Sequence, residues 1–449
     1  MTTAAQTLAD FAVNLRFDQI PEEVVERAKD CIIDIVGVCA FGSTVSSSRP
    51  VLAYAEKYGQ GGRSTILGST LNVYAPMAAL ANGVFAHSFE MDNLVSPSVG
   101  VHPGASLLPP ALAVAQEVGA PGRDFITAFV AGFEVLHRIG DAAMETPEKL
   151  GFHSPGLTGP FGGAVVAGRL LKLNVQQMTN ALGIAGSLSS GLLEFSKSGG
   201  GTVKRMHLGH GAQSGVMAAM LARDDFAGPA TVLEGKLGYL QAFARDADVG
   251  RLTAGLGAVW KTTRLMFKRY SCHITAHVPV TAILRLKCRY GVLGDDIAGV
   301  TVSGSEKMLS HHNIPEPRDV AMAQYSTPFC VAVACYLDPR NPSVFSEKTL
   351  NDGVIRDLCR RVKLELRKEA TAQNLLASRV TIRLKNGREL VEEIEHFPGM
   401  PQQPLDRVGL REKFETITAD LRQGRPTTLF DSLAALERAP NIGALSWSF

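Results

Sequence analysis

Through the first 260 positions, apolar residues recur every three or four places, the period of a helix with one buried face. Between residues 5 and 15 this sets Leu8, Phe11, Ala12 and Leu15 on one side. Pro21-Glu22-Glu23 opens a second helix, because proline suits a first turn and acids suit the positive helix end. That helix carries Val24, Val25, Ala28, Cys31, Ile32, Ile35 and Val36. A third, rich in alanine, spans 75–90 and runs into His87. Pro109 or Pro110 is expected to begin the next helix. Asp124 is expected to cap one over 125–139. Over 159–171 and 209–221, small residues return every three or four positions. Small faces let helix backbones approach closely, so these two predict central helices. Almost nothing before residue 260 alternates with period two, and this part predicts an all-helical domain.

After Tyr270 the pattern mixes. Residues 278–288 and 320–337 read as helices, and 300–303 and 362–366 as strands. Two alternating runs, 379–385 and 388–394, flank Asn386-Gly387. Asn-Gly between such runs predicts a hairpin, with positive φ at both turn residues if the turn is type I′. Residues 397–401 read as an exit loop, and 406–424 as a helix that rejoins the first part. The expectation is a mainly α protein. A large all-helical domain takes 1–265 plus 405–449, and a smaller α+β domain takes 266–404.

Composition narrows the classes. The chain has 449 residues, 44 of them glycine and only two tryptophan, which suits closely packed helices. Its formal net charge is +2 with no basic run, which argues against a nucleic-acid partner. With no unbroken apolar stretch of about 18 residues, no membrane span is expected. Met1 to Gln6 does not read as a signal peptide. Seven irregularly spaced cysteines, none in a CxxC pair, predict reduced thiols and a cytoplasmic protein rather than a disulfide scaffold or zinc ribbon.

Four segments combine histidine, lysine or acid with glycine and proline, as sites on loops at helix ends do. The first runs from His87 through Glu90 and Asp92 to His102-Pro103-Gly104. On a continuing helix His87 and Glu90 would share a face. The group offers acid, base and donor, or is a capped helix end. The second is Gly151-Phe152-His153-Ser154-Pro155-Gly156, a histidine at a helix start where carboxylates bind, or a plain turn. The third, 196–210, packs Lys204, Arg205, His207 and His210 behind a glycine loop. It lacks a P-loop ending and suits a small polyanion, or is a solvated loop. The fourth, Lys268-Arg269-Tyr270-Ser271-Cys272-His273 to His277, offers cationic, phenolic, thiol and imidazole groups. Adjacent residues do not face each other, so Cys272 with His273 makes a poor nucleophile pair. His311-His312 reads as exposed.

Taken in order, these segments resemble the MmgE/PrpD family. The matching stretches are HSFEMDN…VHPGASLLPPALAVAQE, GFHSPGLTGPFGGAVVAGRLLKL, ALGIAGSLSSGLLEF, KRMHLGHGAQSGVMAAML, GPATVLEG and FKRYSCHITAH. AQYSTPFCVAVAC resembles a helix of the family's smaller domain. The likeness runs from about residue 5 to about residue 425. It implies a helical domain plus an α+β lid domain, a homodimer, and no metal or organic cofactor. It places the catalytic positions on Glu90, Asp92, His102, His153, Lys204 and Lys268. Arg205, His207, Tyr270 and His277 follow as substrate-binding neighbours. Glu90, Asn93 and Leu94 depart from the family's usual HALDFDDTH pattern, and the spacer to His102 is about two residues longer than in its decarboxylase form.

The activities of that family move a proton at a carbon beside a carboxylate. The resemblance therefore implies a lyase, dehydrating or decarboxylating a small di- or tricarboxylate, or an epimerase of a dicarboxylate. Lys204, Lys268 and Arg205 would stabilise the developing anion. His102 and His153 would move protons, with Glu90 or Asp92 orienting one of them.

Overall fold

The computed structural model describes residues 2–95, 100–198, 200–367, 375–422, 428–447 and 449. Part of two site segments, at 96–99 and Gly199, lies outside them. The chain divides into two compact units, each with its own core. The first holds Met1–Ser88, Asp92–Met266 and Arg407–Phe449; the second holds Phe89–Met91 and Phe267–Asp406.

The first unit is built of helices α1 (Ala4–Asn14), α2 (Glu22–Thr44), α3 (Ala75–Ala86), α4 (Pro103–Val118), α5 (Gly122–Ala143), α6 (Ser154–Leu170), α7 (Val175–Ser187) and α8 (Val203–Arg223). A C-terminal helix, Arg407–Arg422, packs on α2. Local chemistry sets several starts. Thr3 and Asn174 cap α1 and α7 in reciprocal capping boxes with Gln6 and Gln177. Glu22 and Glu23 occupy the first turn of α2. The centre is α8, which lies against α6 and α3. Glycines set that spacing. A Cβ at Gly215 would sit 2.5 Å from the backbone of Gly163, and one at Gly83 would sit 2.8 Å from Gly209 Cα.

Three expectations for this unit are corrected. The prolines at 109 and 110 do not start a helix; α4 starts at Pro103 and runs through both. A proline pair inside a helix removes two N–H donors, but the whole stretch from Pro103 to Gln116 is buried, and that packing outweighs the loss. Helix α5 starts at Gly122 rather than after Asp124, which lies in its first turn. The unit is also not purely helical. Two-residue strands pair antiparallel, Ser64–Thr65 with Asn72–Val73 and Leu94–Val95 with Leu265–Met266.

The second unit carries a four-stranded sheet of β1 (Ile297–Gly304), β2 (Val362–Leu366), β3 (Ser378–Leu384) and β4 (Glu389–Ile394), in the order β2-β1-β3-β4. Strand β1 pairs parallel with β2, Val300 opposite Val362, and antiparallel with β3, Val300 opposite Ile382. Helices α9 (His277–Tyr290) and α10 (Thr327–Tyr336) pack together, and α9 also covers β3 and β4. The expected helix over 320–337 is two, Val320–Tyr325 and α10, broken at Ser326 before Pro328. The predicted hairpin forms, but its turn is not type I′. Gly387 has φ of 85°, whereas Asn386 is not among the positive-φ residues. The Gly387 N–H donates to the Leu384 carbonyl, so Lys385 and Asn386 turn first and the glycine alone takes the left-handed position.

Among the described residues, no single helix is long and apolar enough to cross a membrane.

Candidate active site

Three helices of the first unit start at candidate residues. His102 is the N-cap of α4, His153 is the N-cap of α6, and Lys204 lies in the first turn of α8. Each start carries the partial positive charge of a helix N-terminus, which favours an anion, although the first N–H groups of α8 already donate to the Gly200, Gly201 and Thr202 carbonyls. His87 follows the last residue of α3.

Asp92 ties two of these points together. Its Oδ2 lies 2.6 Å from His102 Nδ1 and 2.9 Å from His87 Nδ1. An ionised carboxylate only accepts, so both rings carry the proton on Nδ1 and leave the Nε2 lone pair open. Burial pushes the Asp92 carboxyl up, but the two histidines outweigh it and hold it well below the usual carboxylate range. Burial lowers His87 to about 4, against the pull of Asp92. His87 is therefore neutral at pH 7. Its Nε2 and Asp92 Oδ1 are both buried without a hydrogen-bond partner among the described residues. Buried polar atoms are rarely left so.

His153 and His207 pair through their Nδ1 atoms at 3.0 Å, and the His153 ring centroid is 5.8 Å from that of His87. Burial holds His153 well below the usual imidazole value, with His87 and Lys204 adding to it. Lys204 is 7% exposed and acts electrostatically on His87, His153 and His207. Arg205 Nε donates to the Ser88 carbonyl at 3.2 Å and Nη1 to that of Gly201 at 2.5 Å. His210 sits near Ser214 and Ser190.

The other candidates belong to the second unit. Lys268 Nζ donates to Glu90 Oε2 at 3.0 Å, and Tyr325 Oη donates to Glu90 Oε1 at 3.2 Å. Glu90 takes φ of 54°, a left-handed conformation that side chains avoid. The helix has already ended at Ala86, so His87 and Glu90 share no helical face, contrary to expectation. His273 stacks on His312 with centroids 3.9 Å apart. His312, expected on the surface, is 4% exposed; its Nδ1 donates to the Tyr325 carbonyl. Burial lowers it to about 4. Tyr270 Oη pairs with Thr281 Oγ1 at 3.1 Å. Cys272 faces His277, at 3.7 Å, rather than His273. Burial pushes its thiol up, but a hydrogen bond with Cys330 and the nearby His277 and Lys268 bring it down to about 6.

His87, Asp92 and His102 also offer three ligand atoms within 4.8 Å of one another, a spacing that a metal ion could use. To bind one there, both rings would have to carry their proton on Nε2 instead of Nδ1, or turn to present Nε2.

The structure thus brings His87, Asp92, His102, His153, His207 and Lys204 into one group, and Glu90 and Lys268 into another. His87 and Tyr325 join as direct partners of predicted residues. The signals for them were a histidine five places before Asp92 and the AQYSTPF stretch, neither of which carries a contact by itself.

The MmgE/PrpD N-terminal domain model matches residues 6–252, and the MmgE/PrpD C-terminal domain model matches residues 270–426. A cis-aconitate decarboxylase of Aspergillus terreus is 29% identical over 466 aligned positions, covering 98% of this chain and 94% of the relative. A cis-aconitate decarboxylase-like protein of Aspergillus oryzae is 26% identical, covering 98% and 95%. The Homo sapiens cis-aconitate decarboxylase is 26% identical, covering 92% and 87%.

Proposed function

The chain belongs to the MmgE/PrpD family, and we propose that it is a lyase of a small tricarboxylate, with cis-aconitate as the substrate to test first. The observation that carries this reading is Asp92 orienting His102 at the start of α4, with buried Lys204 acting on the same histidine group. The similarity to proteins named cis-aconitate decarboxylase supports the substrate.

Decarboxylation of cis-aconitate breaks the bond between the methylene carbon and its carboxylate. The released electron pair forms a new double bond to the central carbon. The old double bond takes a proton at its far carbon, and carbon dioxide leaves. The enzyme must supply one proton and hold carboxylates while charge shifts. His102 takes a proton from solvent at its open Nε2 and delivers it from there. Asp92 stabilises the imidazolium without being protonated itself, which its depressed carboxyl allows. Lys204 receives a carboxylate, helped by the positive ends of α4, α6 and α8. His153, neutral, offers a hydrogen bond or a second proton-transfer group. In a dehydration the same histidine removes a proton beside a carboxylate, and an acid protonates the leaving hydroxyl. Lys268 and Glu90 are proposed to serve the same reaction, Glu90 holding the lysine.

Two features support the wider reading. Helix α8 exposes Val203, Met206, Met217 and Leu221 at helical spacing, which suits cover by a second copy in a homodimer. Light scattering on the purified protein checks that. All seven cysteines are free thiols, which suits a cytoplasmic location, checked by cell fractionation.

Purified protein incubated with cis-aconitate in D2O should release carbon dioxide and give a product with one deuterium on carbon. Failure to consume cis-aconitate, citrate and 2-methylcitrate would overturn the lyase reading. Two neutral histidines, His87 and His153, also suit an epimerase. Deuterium exchange into a dicarboxylate without loss of water or carbon dioxide would establish that instead.

A further inference from the structure

We propose that Asp34, Asn93 and Lys413 form a positioning relay that fixes the contact between Asp92 and His102. Its catalytic consequence rests on the lyase reading above; its geometry does not. One amide brackets the contact from both ends. Asn93 follows Asp92 in the chain, and its Oδ1 accepts the N–H of Gly104, two residues after His102, at 2.9 Å. That N–H is among those α4 leaves unpaired in its first turn. Gly104 makes room for the clamp, since a Cβ there would lie 2.7 Å from the Asn93 amide.

The direction of the amide is set from behind. Asn93 Nδ2 donates to Asp34 Oδ2 at 3.0 Å, and the Cys31 thiol donates to Asn93 Oδ1 at 3.4 Å. Burial, with Asp34 nearby, keeps that thiol protonated and able to donate. Lys413, on the C-terminal helix, holds the other oxygen of Asp34 at 2.5 Å. Asp34 is 2% exposed, and burial pushes its carboxyl up against the pull of Lys413. Asn93, Asp34 and Cys31 are all buried, so the amide has no solvent to turn toward. Asp92 must meet two N–H groups at once, and a shift of its backbone by a fraction of an ångström would cost one of them. Asn93, Asp34 and Lys413 are therefore positioning residues, acting on the reaction through Asp92 and His102.

The test exchanges donor and acceptor. Asn93→Asp sets a second carboxylate against Asp34 and should lower kcat on cis-aconitate about 100-fold, with KM within about threefold, the cost of a misplaced catalytic group. Asn93→Ser, which removes the clamp without adding charge, should lower kcat about tenfold. The double variant Asp34→Asn with Asn93→Asp restores the pairing at unchanged total charge and should return kcat to within about fivefold of the parent. Proton NMR reads the geometry without substrate. A downfield imidazole N–H signal that His102→Gln abolishes should shift in Asn93→Asp and Asn93→Ser and return in the exchange variant. The relay is overturned if Asn93→Ser leaves kcat and that signal unchanged, or if a folded exchange variant recovers neither. If Asn93→Asp does not fold, Asn93→Ser and the exchange variant decide. If the parent turns over none of cis-aconitate, citrate and 2-methylcitrate, the lyase reading fails and the NMR arm still decides the relay.

Discussion

Asp92→Asn is nearly isosteric and removes one negative charge from a position with no solvent exposure. In the parent, Oδ2 accepts two N–H groups, at 2.6 and 2.9 Å. The amide oxygen can keep both contacts as an uncharged, weaker acceptor, its NH2 taking the place of Oδ1. The charge is the larger loss. Coulomb's law over 2.6 Å at an effective dielectric of about 20 gives roughly 6 kcal/mol between Asp92 and a protonated His102. His102 keeps some access to water, its side chain being 12% exposed, so about 3–5 kcal/mol is the reasonable fraction. That corresponds to a fall in kcat of about 10²–10⁴-fold. KM should move little, because Asp92 is not one of the groups that receive carboxylates. The assay is carbon dioxide release from cis-aconitate at pH 7, with circular dichroism melts to show that the fold is kept. A folded Asp92→Asn protein within about tenfold of the parent kcat would refute the role given to Asp92.

Lys268→Met leaves Glu90 with the Tyr325 hydroxyl but without its ammonium partner; kcat/KM should fall about 100-fold or more, and unchanged kinetics would remove Lys268 from the reaction. His137 is 1% exposed with neither ring nitrogen partnered among the described residues, and burial lowers it to about 3 from an ordinary 6.5. Its neutral form favours the fold, so its stabilising share is full above pH 6.5 and drains away as pH falls toward 3. His137→Leu should therefore match the parent near pH 7 and exceed its stability by roughly 2 kcal/mol at pH 5; a melting difference independent of pH would contradict this. Gly215→Ala pushes a methyl into Gly163 and should cost about 2–4 kcal/mol by urea denaturation, with no effect at all counting against the α6–α8 packing argument. Dialysis against EDTA should leave turnover unchanged; loss of activity restored by a divalent ion would move His87, Asp92 and His102 to a metal-binding role.

Where the chain signals local structure, its sequence was a sufficient guide. Helical periods in the first 260 residues and the Asn-Gly hairpin rest on near neighbours in the chain, and they form. Small-residue spacing marked α6 and α8 as central, because only glycine permits the approach of Gly163 to Gly215. The ordered motifs also carried family membership.

Other features are set by partners far along the chain, which periodicity cannot show. Packing carries α4 through Pro109 and Pro110, although a proline pair locally signals a boundary. Proximity in sequence suggested Glu90 with His87, yet the helix ends at Ala86, and Glu90 joins Lys268, 178 residues away. His312 looked like a loop histidine and is buried against His273. Nothing in the order of residues announces that Asp34, Asn93 and Lys413 meet, since two of those contacts span 59 and 379 positions. The sequence by itself determined the helical class, the hairpin and which side chains are available for proton chemistry, because those follow from neighbours. Only the tertiary structure decided which histidine meets which carboxylate, because a hydrogen bond of 2.6 Å depends on burial and on segments that only the folded chain brings together.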